Sequence, residues 1–157
     1  MENVRIAILN AYDRVCAFMD NEAPDALHYD SDELCSYREG SANTYSFKAS
    51  AKHGDSKYLA EGNKLSFRHD GQDYYFNIVK IYKTEYEVEV TGYSTVFELL
   101  NEEADIYRSA RAMTFAEYFN EFNFEKTLEL GINEVSDKSL SYEWTGTSTL
   151  LARIFSL

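Results

Sequence analysis

Residues 63–100 read NKLSFRHDGQDYYFNIVKIYKTEYEVEVTGYSTVFELL. Leu65 and Phe67 alternate with Ser66 and Arg68, the period-two pattern of a strand with one buried face. His69-Asp70-Gly71-Gln72-Asp73 supplies a turn in which Gly71 is free to take positive φ. Tyr74 to Tyr82 is a nearly continuous β-prone run, the pattern of a central strand covered on both faces. After Lys83-Thr84, residues 85–91 alternate, which puts Tyr86, Val88 and Val90 on one side and Glu85, Glu87 and Glu89 on the other. Gly92 is expected to end that strand. Thr95-x-x-Glu98 is a capping box opening a helix whose Val96, Leu99 and Leu100 face the sheet. This is a scaffold of three antiparallel strands and a helix, with no catalytic spacing in it.

Upstream, Val4 to Leu9 reads as an opening strand and Val15 to Met19 as its partner across the Asn10–Asp13 turn. A loop holding the single proline, Pro24, leads to a short strand at Leu27–Tyr29 and an acidic turn at Asp30–Glu33. Tyr45, Phe47 and Ala49 alternate inward along another strand, and the polar segment 50–57, with Lys52, His53 and Lys57, reads as a mobile loop.

Downstream of Leu100 the pattern changes. Thr114-x-x-Glu117 is a second capping box, and Phe115, Tyr118, Phe119 and Phe122 fall at helical spacing. Glu117, Glu121 and Glu125 recur every fourth residue on another side, a like-charge spacing that costs a few tenths of a kcal/mol per pair. Packing must therefore hold this helix. Residues 127–133 and 139–145 are expected to pair with each other, and Thr147 or Ser148 to cap a final helix carrying Leu150, Leu151, Ile154 and Leu157. That apolar stripe is still running at Leu157, with no glycine cap, so the chain reads as the amino-terminal piece of something longer. The expected class is mainly β with flanking helices (α+β): an antiparallel barrel-like domain over residues 1–105, then the start of a second α+β domain over 112–157.

Composition narrows the function. The net charge of −12 is uneven: residues 1–84 hold ten Lys and Arg against thirteen Asp and Glu, residues 85–157 five against fourteen. An acidic surface repels a nucleic-acid backbone, so gripping DNA is disfavoured while letting it slide past is not. Thirteen tyrosines suit either a β-rich core or an interface, where Tyr is enriched. Cys16 and Cys35 have no metal or redox spacing and read as reduced, buried thiols. Neither an export signal nor a membrane-spanning apolar run is expected.

Candidate sites are few. His28, His53 and His69 are far apart, with no Cys or second His at ligand spacing. Asp30, Asp32 and Glu33 lack the glycine and the distal glutamate of a calcium loop. Glu85, Glu87 and Glu89 point in parallel and would not flank a glycosidic bond. They, with Glu117, Glu121 and Glu125, are instead candidate interface or channel-facing positions. The run from Lys48 to Arg68 has five basic and two acidic residues, so a basic loop of one copy could face an acidic helix of the next. Neither a cofactor nor a catalytic set is read here.

The order of short motifs carries a resemblance: Ile8-Leu9-Asn10, Gly62-Asn63-Lys64-Leu65-Ser66-Phe67, Asp70-Gly71, Tyr75-Phe76-Asn77-Ile78, Glu89-Val90-Thr91-Gly92-Tyr93-Ser94, Glu98-Leu99-Leu100, Glu117-Tyr118 and Trp144-Thr145-Gly146. In that order the chain resembles the amino-terminal region of phage and prophage tail proteins of Gram-positive hosts, known as tail endopeptidases, tail-associated lysins or minor structural proteins. The resemblance implies a siphophage-type baseplate hub at the virion tail tip, assembled in the host cytoplasm as a homotrimer. It also implies partners: a distal tail protein on one side and fibre or lysin parts on the other, with DNA passing through unbound. Any peptidase or lysin activity would lie beyond residue 157, and no catalytic residue of the family maps onto this chain. The rival reading is a carbohydrate-binding module for the host wall, motivated by the tyrosines and the single Trp144.

Overall fold

The structure, a computed structural model, describes residues 3–36, 43–96, 102–123 and 129–157, the side chain of Phe155 excepted. The chain divides into two compact units, Met1–Thr95 and Val96–Leu157. The described residues are mainly β, with two short α-helices among them.

Seven strands form one curled half-barrel sheet in the first unit. They are β1 (Ile6–Leu9), β2 (Val15–Met19), β3 (Tyr29–Cys35), β4 (Thr44–Ser50), β5 (Lys64–His69), β6 (Gln72–Lys83) and β7 (Glu87–Ser94), in the order β2-β1-β5-β6-β7-β4-β3 with every neighbouring pair antiparallel. The β5–β6 hairpin closes with His69 opposite Gln72, leaving Asp70 (φ 49°) and Gly71 (φ 78°) as its two-residue turn. Both φ values are positive, as the right-handed twist of the flanking strands demands of such a turn. Alternation puts Ile6, Ile8, Tyr45, Phe47, Leu65, Phe67, Phe76, Val88 and Val90 into one core. Tyr45 packs its ring 4.8 Å from Phe67 and 5.7 Å from Phe76. Its hydroxyl is buried beside Asp32, and desolvation followed by that carboxylate's charge pushes its pKa up.

The two edges of the half-barrel meet at one point. Met19, ending β2, forms a parallel bridge with Leu27, just ahead of β3. The Asn21 side chain donates to the Tyr29 carbonyl and accepts from its N–H, both at 2.8 Å. The Tyr29 hydroxyl donates to the Val4 carbonyl (2.6 Å) and accepts from the Val4 N–H (2.9 Å). Buried backbone groups left without partners would cost free energy, and here one tyrosine satisfies two of them.

Several expectations are corrected in this unit. The β6 strand is not covered on both faces: Phe76 and Ile78 are buried, whereas Tyr75, Val79 and Tyr82 are exposed. Continuous hydrophobicity here reflects aromatic residues standing on an outer face. Gly92 does not end β7 but lies within it, opposite Ile78 and Tyr45, because a Cβ there would lie 3.0 Å from the Phe76 Cβ. Tyr86 is exposed and precedes the strand, so only Val88 and Val90 of the expected trio face inward. The acidic segment after Tyr29 is edge strand β3, bent by a bulge at Ser31 (φ 53°). Charge and a bulge on an edge strand discourage stray pairing. Segment 50–57 folds into a 3-10 turn, Gly54–Tyr58, with His53 Nδ1 capping the Asp55 N–H and buried Ser56 donating to the Ala51 carbonyl. Both cysteines are half-buried and not core residues. The helix expected from Thr95 falls mostly on residues 97–101, outside the described residues.

The second unit is a nested antiparallel ladder of short pairs. Strand β8 (Glu103–Ala104) pairs with β13 (Ser148–Thr149), β9 (Tyr107–Arg108) with β12 (Glu143–Trp144), and β10 (Met113–Thr114) with β11 (Ser139–Leu140). The expected pairing of 127–133 with 139–145 is therefore overturned: 139–144 pairs with 107–114, and residues 129–133 are not strand. The longer-range pairing places Tyr142 and Trp144 against the aromatic face of α1 (Phe115–Phe122), which a local hairpin would leave uncovered. Thr114 and Glu117 form the full capping box that opens α1. The cap of α2 (Leu150–Phe155) is Thr149, one residue later than Ser148, the nearer of the two expected caps.

Candidate interaction surface

The first unit fills its own interior with aromatic rings, so its functional surface is its outside. On the face opposite the core, β6 presents Tyr75 and Tyr82, β7 presents Glu87, Glu89 and Tyr93, and β4 presents Lys48. Tyr82 and Lys48 both lie opposite Glu89 in the ladder. Tyrosine rings supply large, stiff contact area with a polar tip, which is why they recur at protein interfaces.

The sequence-selected glutamates separate into different roles. Glu85 is exposed in the bend before β7. Glu87 accepts from Lys48 at 2.9 Å, and this hydrogen bond raises the Lys48 pKa. Glu89 is exposed on the same face. In the second unit, Glu117 is a cap first: it accepts from the Thr114 N–H at 2.7 Å and pairs with Arg111. The Arg111 hydrogen bond, then the Thr114 N–H, hold its pKa down to about 2. Glu121 is exposed on α1, and Glu125 lies outside the described residues.

The basic run from Lys48 to Arg68 is largely spent locally. Lys64 pairs with Asp13 at 2.7 Å, Arg68 lies 3.6 Å from Asp73, and Lys52 and Lys57 sit over the rings of Tyr86 and Tyr58. The histidines are likewise engaged locally. His28 Nε2 is 2.9 Å from the Ala23 carbonyl, His53 caps its turn, and His69 lies 3.4 Å from Asp70. Among the described residues no three His, Cys, Asp or Glu side chains converge as a metal set, and no helix is long and apolar enough to cross a membrane.

Trp144 is half-buried and packs against the second unit's core. Tyr142 stacks on it at 5.0 Å, its indole N–H donates to Ser156 Oγ at 3.1 Å, and the Arg153 guanidinium lies 4.7 Å from its ring centre. Arg153 is a feature the sequence reading passed over. It is 1% exposed and donates to the carbonyls of Ala104, Asp105 and Gly146 and to Ser148 Oγ, tying both limbs of the ladder together. Its place three residues after Leu150, on the apolar side of α2, was the available signal. Grooves open on this unit among the described residues. One, of about 150 Å³, is lined by Met113, Phe115, Leu140, Tyr142, Leu157 and Lys138 among others; another, of about 260 Å³, runs along β9 and β12.

No protein-family model matches the chain, and no curated protein does. The fold is similar to that of the prophage tail protein gp18 from Listeria monocytogenes EGD-e, with a TM-score of 0.62 at 14% identity, over 99% of this chain and 44% of that one. It is also similar to the tail protein from Neisseria meningitidis MC58, with a TM-score of 0.58 at 12% identity, over 96% of this chain and 43% of that one. At such identities the likeness is one of fold. The chain spans less than half the length of either protein. Both are tail proteins, the first of them of a prophage, and the pair does not single out Gram-positive hosts.

Proposed function

We propose that this chain is a non-enzymatic structural component of a phage or prophage tail, working at the tail tip as part of a baseplate hub. The carrying observation is that the fold of two tail proteins, one of them of a prophage, extends over nearly the whole chain, through both compact units. In this reading copies of the chain associate around the path of the DNA, as a homotrimer in the full-length protein. They join the distal tail to fibre or lysin parts, with any peptidase carried elsewhere in the polypeptide. A net charge of −12 suits a passage through which DNA slides without sticking. The exposed tyrosines suit subunit contacts. Sedimentation of the chain alone and of its full-length parent, across a concentration series, is the test. Assembly into a defined oligomer is expected, and monomers throughout would overturn the reading.

A second reading, a module binding host-wall carbohydrate, is favoured by the exposed Tyr75, Tyr82 and Tyr93, since sugars stack on exposed rings. Trp144, which motivated it first, is half-buried, stacked on Tyr142 and covered by the Arg153 guanidinium. Saturable binding to purified cell walls, lost on Tyr82→Ala, would favour the module over the tail component.

A further inference from the structure

We infer that the apolar groove of the second unit is the receptor for Ile132 of another copy of the same chain. This rests on the proposed reading of the chain as a self-associating building block, and it names the contact. The groove is walled by Met113, Phe115, Tyr142 and Leu157, with Leu140 on its lip still 59% exposed. Its volume of about 150 Å³ is of the size that one large aliphatic side chain fills. Lys138 stands at its rim. Arg108 and Arg111 are in ion pairs, and Arg153, which meets no carboxylate, is buried against carbonyls and rings. Lys138 is therefore the one exposed cation among the described residues of this unit that stands in no ion pair. A fitting ligand is an aliphatic side chain with a carboxylate beside it.

The chain itself displays that combination. Ile132 is 93% exposed, more than any other large hydrophobic residue described, and sits in the segment Glu129-Leu130-Gly131-Ile132-Asn133-Glu134. Leu130 beside it is also exposed, while Val135, three residues on, belongs to the groove's own lining. An isoleucine left almost wholly in water gains by entering a preformed apolar groove, and Glu134, two residues on, supplies the charge that Lys138 lacks. Neither of these residues is bound to the fold in a way that explains it: Ile132 packs on nothing that buries it, and Lys138 neutralises no neighbour. Contact between copies accounts for both at once.

Analytical ultracentrifugation of the 157-residue chain and its variants tests this, with circular dichroism confirming that each folds. Ile132→Asp and Leu140→Asp, on the two sides of the contact and both exposed, are each expected to weaken self-association about 30-fold or more, as loss of an interface anchor does. Glu134→Lys is expected to weaken it about threefold, and adding Lys138→Glu to the same chain to restore it. A wild-type oligomer left intact by both Asp variants would overturn this contact while leaving the assembly reading standing. A wild-type chain monomeric at every concentration would overturn this contact, and a full-length parent that is monomeric as well would overturn the assembly reading too. Weakening by Leu140→Asp but not by Ile132→Asp would assign the groove to a different occupant and overturn the inference.

Discussion

Gly92 shows how closely a single position can be specified by packing. Its hydrogen-bonded neighbours are Ile78 on one side and Tyr45 on the other, and a Cβ would press on the Phe76 Cβ at 3.0 Å and the Asn77 carbonyl at 3.4 Å. Both obstacles are at or near the backbone, so neither can swing aside. Gly92→Ala should therefore destabilise the first unit by about 1–3 kcal/mol, measured by urea unfolding. Neutral behaviour would mean the sheet gives more readily than its register implies. Glu117 behaves differently, since its importance depends on pH. Its folded pKa lies near 2, below the ordinary 4.5, so the stabilisation is present above about pH 4.5 and drains away as pH falls towards 2. Wild type should exceed Glu117→Gln in melting temperature at neutral pH, and the gap should close by about pH 2. A gap independent of pH would refute the charged cap.

The seam between β2 and β3 is where the half-barrel is held. One bridge and one asparagine fasten the two edges, the Tyr29 hydroxyl holds the Val4 backbone ahead of β1, and the Tyr29 ring packs edge-on against Phe47 at 6.2 Å. Tyr29→Phe keeps the ring and removes the hydroxyl, stranding the Val4 N–H and carbonyl. The expected cost is about 1–3 kcal/mol, with faster hydrogen exchange at the Val4 amide as its local signature. Unchanged exchange would show that another group takes the hydroxyl's place. Among the described residues of the second unit no strand pair is longer than two residues, and cohesion passes to side chains. The aromatic group of Tyr107, Tyr118, Phe122, Tyr142 and Trp144 surrounds what Arg153 ties together. Two-residue pairs carry almost no alternating signal, which is why the ladder escaped the sequence reading while the cap at Thr114 did not.

At the level of the whole protein, the question is which surfaces meet partners. If the outer face of β7 touches a neighbour or borders a passage for DNA, then Glu85, Glu87 and Glu89 act together. Reversing all three to lysine should lower the yield of infective particles, with the chain's melting temperature falling only modestly, since Glu87 alone holds an ion pair. Particles assembled at wild-type yield would remove that face from the list of contacts. Local reading found the β5–β6–β7 core, the capping box at Thr114 and the β1–β2 pair, because alternation, turn residues and caps act over a few positions. It did not find the groove, whose walls come from residues as far apart as Met113 and Leu157.

The chain's own order of residues settled its class: strands where apolar side chains alternate, a two-residue turn at Asp70-Gly71, a helix where Thr114 and Glu117 can cap each other. These rest on neighbours within a turn or a pleat, and such forces are readable in line. Assembly in space settled the rest: that β6 buries one face only, that Gly92 lies inside a strand, that residues 139–144 pair back to 107–114, and that Arg153 is drawn into the interior. Each depends on which distant surface arrives to cover a residue, and burial is a property of that meeting.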